Sequence, residues 1–442
     1  MPSVDGIVSG LDTTGLINAI VTARRVSLDT LSAQKGAFEK QREAVAGMKN
    51  RLTAISDAFA KMDEASKFRS YSATTASTAF KLTTTDAAVP GDYAIRVEQL
   101  AAAQTSSSQG YAARDVSYFS AGTFQVTVGG TTTDVDLTDT TLDGLATALN
   151  QVAGLDAYVI DTGAPTDRYR LMIQGTSTGA AGAFSADFSA IGGGPTLTEQ
   201  TTAVDARIVI GGVTIHSASN TLNGAIPGVR IDLLAENTAP ELGTVALDAE
   251  ATQAKVQAVL DAYNEVVNYY DVQTAFDTDK DIRGPLVGEA TSRRAVEDIG
   301  RMISSPYTVS GTTLRGLSEL GVSTQRDGKL ELDADLFAEK LAADPEAVEA
   351  FLTSADGPFA KLRARIDDTM VDPDAGSLVS RGKSLDSTIE DLEERIAIGE
   401  DRISAEATRL RAQFTAMESI LGQLQSTSSS IAAMFSAATS AG

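Results

Sequence analysis

The chain has no cysteine and no tryptophan, and His216 is the single histidine among its 442 residues. The absence of thiols excludes disulfides, thiolate metal sites and cysteine nucleophiles. A Ser-His-Asp triad would have to be built around His216 alone; that residue sits in an alternating apolar run with no local nucleophile signature, so a structural or surface histidine is expected. Basic residues are scarce, with 36 Lys and Arg against 59 Asp and Glu and a formal net charge of -23. Phosphate neutralisation needs clustered Lys and Arg, so no nucleic-acid partner is expected and anionic membrane surfaces are disfavoured. No run reaches the roughly 18–20 apolar residues that span a bilayer, so no membrane insertion is expected. The first basic residue is Arg24. A cleaved secretory signal is therefore not expected, which fits a cytoplasmic protein or one exported without such a signal.

What is present is helical patterning at both ends. Gly6-Ile7-Val8-Ser9-Gly10-Leu11-Asp12 is a glycine-punctuated turn that feeds an apolar stripe of Leu16, Ile17, Ile20, Val21, Leu28 and Leu31. At the far end Leu385, Ile389, Leu392 and Ile396 begin a second stripe. It continues through Ile403, Ala407, Leu410, Phe414, Met417, Leu421, Leu424, Ile431 and Phe435 in steps of three and four, interrupted by Ser428. The spacing slips around Gly399, as a stutter that locally unwinds a coiled coil. The two stripes are candidate partners, and alone each would be marginally stable.

Helical spacing extends from about Thr14 to Lys67 through Phe38, Val45, Met48, Leu52, Ile55, Phe59 and Met62, with Gly36 and Gly47 as weak points. After Phe68 the texture turns to alternating strands. These include Ala94–Val97, Phe124–Val128 and Asp134–Leu137 joined by a Gly129-Gly130 turn, Tyr158–Ile160, Tyr169–Ile173, Ala206–Ile210, Val213–His216 and Val229–Leu234. Leu142–Val152 reads as a short helix, and the Gly- and Ala-rich stretch Gly179–Gly194 as loops. The β-rich region, roughly Tyr71–Leu247, is long enough for two domains, and 442 residues suggest about three or four units in all. Helix returns at about Ala251–Phe276; Asp327-Gly328 marks a hairpin, and Asp333 is a good N-cap.

Two motifs point to chemistry and fail on spacing. Gly382-Lys383-Ser384 resembles the end of a phosphate loop, but Gly376 is one residue too far away and no strand leads in, so a helix start capped by Ser384 is expected. Asp277, Asp279 and Asp281 alternate like a calcium loop, yet Ile282 stands where its glycine belongs and Gly288 where its glutamate belongs. A solvated acidic loop is the expectation there. No catalytic, cofactor or metal residues are assigned, and no enzyme is expected.

Taken in order, these residues resemble the bacterial flagellar hook-associated protein 2 family. The resemblance rests on Gly6-Ile7 with Ser9–Asp12, Gly91–Val97 with Leu100-Ala101, Asn220 with Ile226–Val229, and Ala262-Tyr263-Asn264. Gly284, Leu286, Gly288, Arg293, Leu320–Val322, Asp327–Leu330, Asp333 and the heptads around Gln413-Phe414 complete it; Arg24 and Ser27 replace the family's usual glutamate and proline. Likeness is weakest from about Ala112 to Thr202.

The resemblance implies an α+β multidomain fold, with β-rich head domains on a helical leg and coiled-coil-like terminal helices. The expected division is 1–37 as an assembly helix, 38–70 with 249–372 as the leg, and 71–111 with 203–248 as one head domain. Residues 112–202 are then an inserted β-rich domain and 373–442 the tail. It also implies a non-enzymatic cap at the filament tip that inserts exported flagellin. Its partners would be further copies in a ring-shaped pentamer, flagellin, a hook-associated junction protein, the flagellar export apparatus and a cytoplasmic export chaperone. The expected assembly residues are Ile7, Leu11, Leu16, Ile17, Ile20, Phe414, Met417, Leu421, Leu424, Ile431 and Phe435. The alternatives are an adhesin binding host glycan or mucin through the β head, a hook-filament junction protein, flagellin itself, or a hydrolase carried on the head.

Overall fold

The computed structural model describes residues 10–277 and 282–439. Helix α1 (Thr13–Ala60) and the single turn α2 (Ala65–Phe68) precede strands β1 (Tyr71–Thr75), β2 (Phe80–Thr84), β3 (Gly91–Gln99), β4 (Thr105–Ser108), β5 (Gly122–Val128) and β6 (Thr131–Leu137). Helix α3 (Leu142–Leu149) is followed by β7 (Leu155–Asp161), β8 (Tyr169–Gly175), β9 (Phe184–Asp187), β10 (Leu197–Thr201) and β11 (Ala206–Ile210). Next come β12 (Val213–Ser217), β13 (Thr221–Ile226), β14 (Val229–Leu233) and β15 (Glu241–Leu247). Helix α4 (Ala249–Thr274) leads to the hairpin β16 (Phe276–Asp277) and β17 (Ile282–Arg283), then α5 (Ala290–Ile303) and the hairpin β18 (Val322–Thr324) and β19 (Leu330–Leu332). The chain closes with α6 (Ala334–Ala343), α7 (Pro345–Thr353), α8 (Pro358–Arg365) and α9 (Ser377–Thr439). It forms two compact units, Glu64–Ala254 and the remainder, Met1–Asp63 with Lys255–Gly442.

The unit Glu64–Ala254 contains two β cores. In the first, a five-stranded sheet ordered β1-β15-β3-β11-β12 and a three-stranded sheet ordered β13-β14-β2 bury Phe80, Leu82, Ile95, Val97, Ile208, Ile231 and Val245. The period of two in β3 explains the split, since Ile95 and Val97 are buried while Arg96 and Glu98 point the other way and pair with each other. The second core is an insertion between β3 and β11, which are neighbours in the first sheet. Its sheets, β10-β4-β8-β7 and β6-β5-β9, enclose Phe124, Val126, Leu171 and Ile173 together with Leu142, Leu145 and Leu149 of α3. Those three leucines recur at helical spacing, and Thr141 caps α3 by accepting from the Gly144 amide at 3.0 Å.

Most of the expected strands are present within these spans. Gly129 and Gly130 adopt φ of 57° and 82°, the left-handed pair that a two-residue hairpin between β5 and β6 requires. The Gly179–Gly194 stretch is not all loop: β9 lies inside it and pairs with β5, with Phe184 opposite Val128. One buried apolar side chain on a short edge strand is too weak a periodic signal to read from sequence.

The other unit is helical. Val45, Met48, Leu52, Ile55 and Phe59 form a buried row on α1 at steps of three and four, and the Phe59 ring packs 5.9 Å from Phe359 of α8. Helix α1 runs unbroken through Gly36 and Gly47 and ends at Ala60, short of Lys67. Gly47 is an approach point, because a Cβ there would lie 2.2 Å from the Tyr269 hydroxyl of α4. Asn264 of α4 holds the β18–β19 hairpin, donating to the Leu330 carbonyl at 2.8 Å and accepting from its amide at 2.7 Å. Asp333 caps α6 through the Leu336 amide. Helix α9 begins at Ser377, so Gly382-Lys383-Ser384 lies inside it, and the expected helix start at Ser384 is corrected by two turns. Asp279 and Asp281 lie outside the described residues.

A terminal helix pair as candidate assembly site

Helices α1 and α9 pack antiparallel in one register. Arg42 meets Asp386 at 3.2 Å, Lys35 meets Glu393 at 2.7 Å, and Arg24 meets Glu406 at 3.7 Å. The hydrogen bond to Glu393 raises the Lys35 pKa, opposed by desolvation and assisted by the Glu39 charge. These exposed pairs set alignment more than stability. Arg24 thus finds a carboxylate across the pair, and Ser27 turns its hydroxyl back to the Arg24 carbonyl at 3.0 Å.

Between the charges, Leu385, Ile389, Leu392 and Ala407 are buried on α9, and Ile17 on α1. Helix α9 stays α-helical across Gly399. The glycine admits Leu28, whose Cδ2 would lie 2.4 Å from a Cβ at that position. Gly399→Leu gains about 1 kcal/mol of helix propensity but overpacks the contact by roughly 1–3 kcal/mol. We therefore expect net destabilisation of the helix pair, partly recovered when Leu28→Ala is added, as read by thermal melts of helical circular dichroism. Greater stability of the single variant would show that Leu28 swings clear.

At its start α1 is held by Asp12, which accepts from the Gly15 amide at 2.6 Å. A Cβ at residue 15 would sit 2.2 Å from the Asp12 carboxylate as placed, so a side chain there would make the cap shift. Gly10, just before, adopts the left-handed φ of 71°.

Continuing the antiparallel register places Thr13 opposite the Phe414 turn of α9. Beyond it α9 continues from Glu418 to Thr439 for about six turns, past the first residue of α1. Of the expected assembly residues, Ile17 is buried inside the pair, while Ile20, Phe414, Met417 and Leu421 are half-buried. Leu11, Leu16, Leu424 and Ile431 are exposed, at 48%, 47%, 60% and 50%. Ile7 lies outside the described residues, as does the Phe435 side chain. Ile420 and Met434 are also exposed, at 58% and 71%. They flank the stripe and were missed because a single seam was followed, although Ile420 stands three residues from Met417. From Ala412 to Gly442 Glu418 is the only charged residue.

The model described as Flagellar hook-associated protein 2 C-terminus matches residues 203–426, and the one described as Flagellar hook-associated protein 2 N-terminus matches residues 9–104. The chain belongs to the flagellar hook-associated protein 2 family. Between the family matches lies the inserted β core. Relatives include Flagellar hook-associated protein 2 of Escherichia coli strain K12, 27% identical over 376 residues that cover 78% of this chain and 79% of that one. A-type flagellar hook-associated protein 2 of Pseudomonas aeruginosa is 27% identical over 477 residues, covering 97% and 96%. Among solved structures, the D1-D2-D3 domains of the flagellar cap protein FliD from Escherichia coli align with a TM-score of 0.64 at 25% identity, over 78% of this chain and 99% of that one.

His216, the one histidine, is exposed on β12 opposite Arg207. Among the described residues no group of three or more His, Cys, Asp or Glu is placed to hold a metal ion. No described helix is long and apolar enough to cross a membrane.

Proposed function

We propose that the chain caps the growing bacterial flagellar filament and promotes insertion of exported flagellin at its tip, as a structural subunit with no catalytic step. Family membership supports the reading, and one observation carries it: α9 extends an apolar, nearly uncharged face past its partner helix. Such a face needs an assembly to cover it. Copies arranged as a closed ring would present these helices together, because a heterologous interface closes only when its rotation does. The reading extends to a pentameric ring that acts on flagellin, seats next to a hook-associated junction protein, and leaves through the flagellar export apparatus with a cytoplasmic export chaperone. Within it the surface contacts are Leu11, Leu16, Met417, Leu421, Leu424 and Ile431, with Ile17 holding the pair closed.

Complementation tests this. In a strain lacking its own cap but supplied with the cognate flagellin, the full chain should restore long filaments. The chain lacking Gln413–Gly442 should be exported and leave flagellin in the medium. Failure of the full chain to restore filaments would sink the capping function, whereas success of the truncated chain would sink only the role given to the tail.

A further inference from the structure

The sequence contains one Asn-Gly pair, Asn223-Gly224, and its placement is unlike that of every other asparagine. Asn150, Asn220, Asn237 and Asn264 each have a side-chain oxygen accepting a backbone N–H, from Ala157, Ala101, Val97 and Leu330 respectively. Asn18, Asn50 and Asn268 lie within α1 and α4, where the helix fixes the following amide away from the side chain. Asn223 is exposed on β13, the edge strand of its sheet.

The backbone beyond it is a bulge. Pairing with β14 runs Leu222 to Ile231 and Asn223 to Arg230, then resumes at Ile226 with Val229, so Gly224 and Ala225 have no partner in the register. Gly224 adopts φ 84°, and a Cβ built there would meet nothing within 4 Å. The residue after Asn223 is therefore unhindered, outside the ladder and on an edge, where local opening costs least.

We propose that Asn223 is a built-in site of spontaneous deamidation in the folded protein. The Gly224 backbone nitrogen, losing its proton to solvent base, attacks Asn223 Cγ. A C–N bond forms, the Cγ–Nδ2 bond breaks, and ammonia leaves with a proton from solvent. The resulting five-membered succinimide adds one water across either carbonyl and opens to aspartate or isoaspartate. Water is the only co-reactant, and no oxidant or reductant is needed. Each event adds one negative charge opposite Arg230, which already donates from Nε to Asp232 at 2.9 Å. The aspartate product makes a favourable cross-strand pair with Arg230. The isoaspartate product instead lengthens the backbone by one methylene at a position that already carries a bulge.

The test is peptide mass mapping of the intact full chain aged at mildly alkaline pH, beside the same chain held unfolded in urea. Asn223 should deamidate in the folded chain within about threefold of its unfolded rate, as the rigid-ladder contribution is absent there. Asn150, Asn220, Asn237 and Asn264 should be slowed far more by folding, and isoaspartate should map to the Asn223 peptide. Gly224→Ala should slow the reaction in the urea-held chain, which needs no folded state and so separates chemistry from folding damage. Folded-state protection of Asn223 as strong as that of Asn264, or product at another asparagine first, would overturn the proposal.

Discussion

Leu421→Asp is expected to leave thermal unfolding of the isolated chain nearly unchanged while flagellin escapes into the medium from cells that carry it. In the chain Leu421 is half-buried on the α9 extension, beyond the start of α1. An aspartate there stays hydrated and costs a few tenths of a kcal/mol, about the difference in helix propensity. Once neighbouring copies or the filament cover the stripe, the same carboxylate is desolvated, and its own helix offers no Lys or Arg after Arg411 to pair with it. That costs several kcal/mol or forces protonation. Ser426→Asp is the matched control, because five residues further on at about 100° per residue it falls on the far side of the helix. It should preserve long filaments. If Leu421→Asp also preserves them, the stripe faces solvent in the assembly; if both variants fail, the whole helix circumference is covered.

Elements were legible where one physical signal dominated. The Gly129-Gly130 turn was readable because both residues must take positive φ, and Asp333 because it opens a helix directly after a strand. Strands β4 and β10 were not: Ser106, Ser107 and Ser108 are buried, and no apolar alternation marks them. Their burial is compensated by partners far away in sequence, such as Ser108 Oγ accepting the Leu171 amide at 2.9 Å and Ser107 Oγ accepting from Gln200 at 2.9 Å. Hydrogen-bond partners at such separations leave no local trace. Asn220 and Asn264 stood out only through family likeness, and their backbone-mimicking bonds supply the reason. In the helix pair both apolar stripes were visible, and Gly399 read as a stutter in the seam, but its contact with Leu28 was not legible because Leu28 lies on the other helix. Nothing in a single stripe indicates where its partner ends, so the length of α9 beyond the start of α1 appeared only when the register was known.

Glu289→Ala is expected to lower the stability of the helical unit by about 2–4 kcal/mol at neutral pH, combining a lost helix cap with lost charge-assisted hydrogen bonds. Glu289 is only 5% exposed. Its carboxylate accepts the Thr291 and Ser292 amides at 3.1 and 2.6 Å, capping α5, and its Oε1 lies 3.3 Å from Arg381 Nε on α9. Arg381 in turn donates to Gln41 of α1 at 3.1 Å, so one carboxylate ties three helices together. Burial pushes its pKa up, but the backbone N–H groups of Ser292 and Thr291 outweigh this and hold it below the usual glutamate value of 4.5. A depressed folded pKa contributes stability that is present above the unfolded value and lost as pH falls through the folded one. Glu289→Gln isolates that contribution, because glutamine keeps the shape and one acceptor but cannot ionise. In urea unfolding followed by helical circular dichroism, the wild type should exceed Glu289→Gln by roughly 1–3 kcal/mol near neutrality. The gap should stay constant down to about the ordinary glutamate range and close below it as the wild-type carboxyl protonates. A gap that persists unchanged at the acid end would mean the carboxylate acts through shape rather than charge, and a gap that widens would reverse the sign of the linkage.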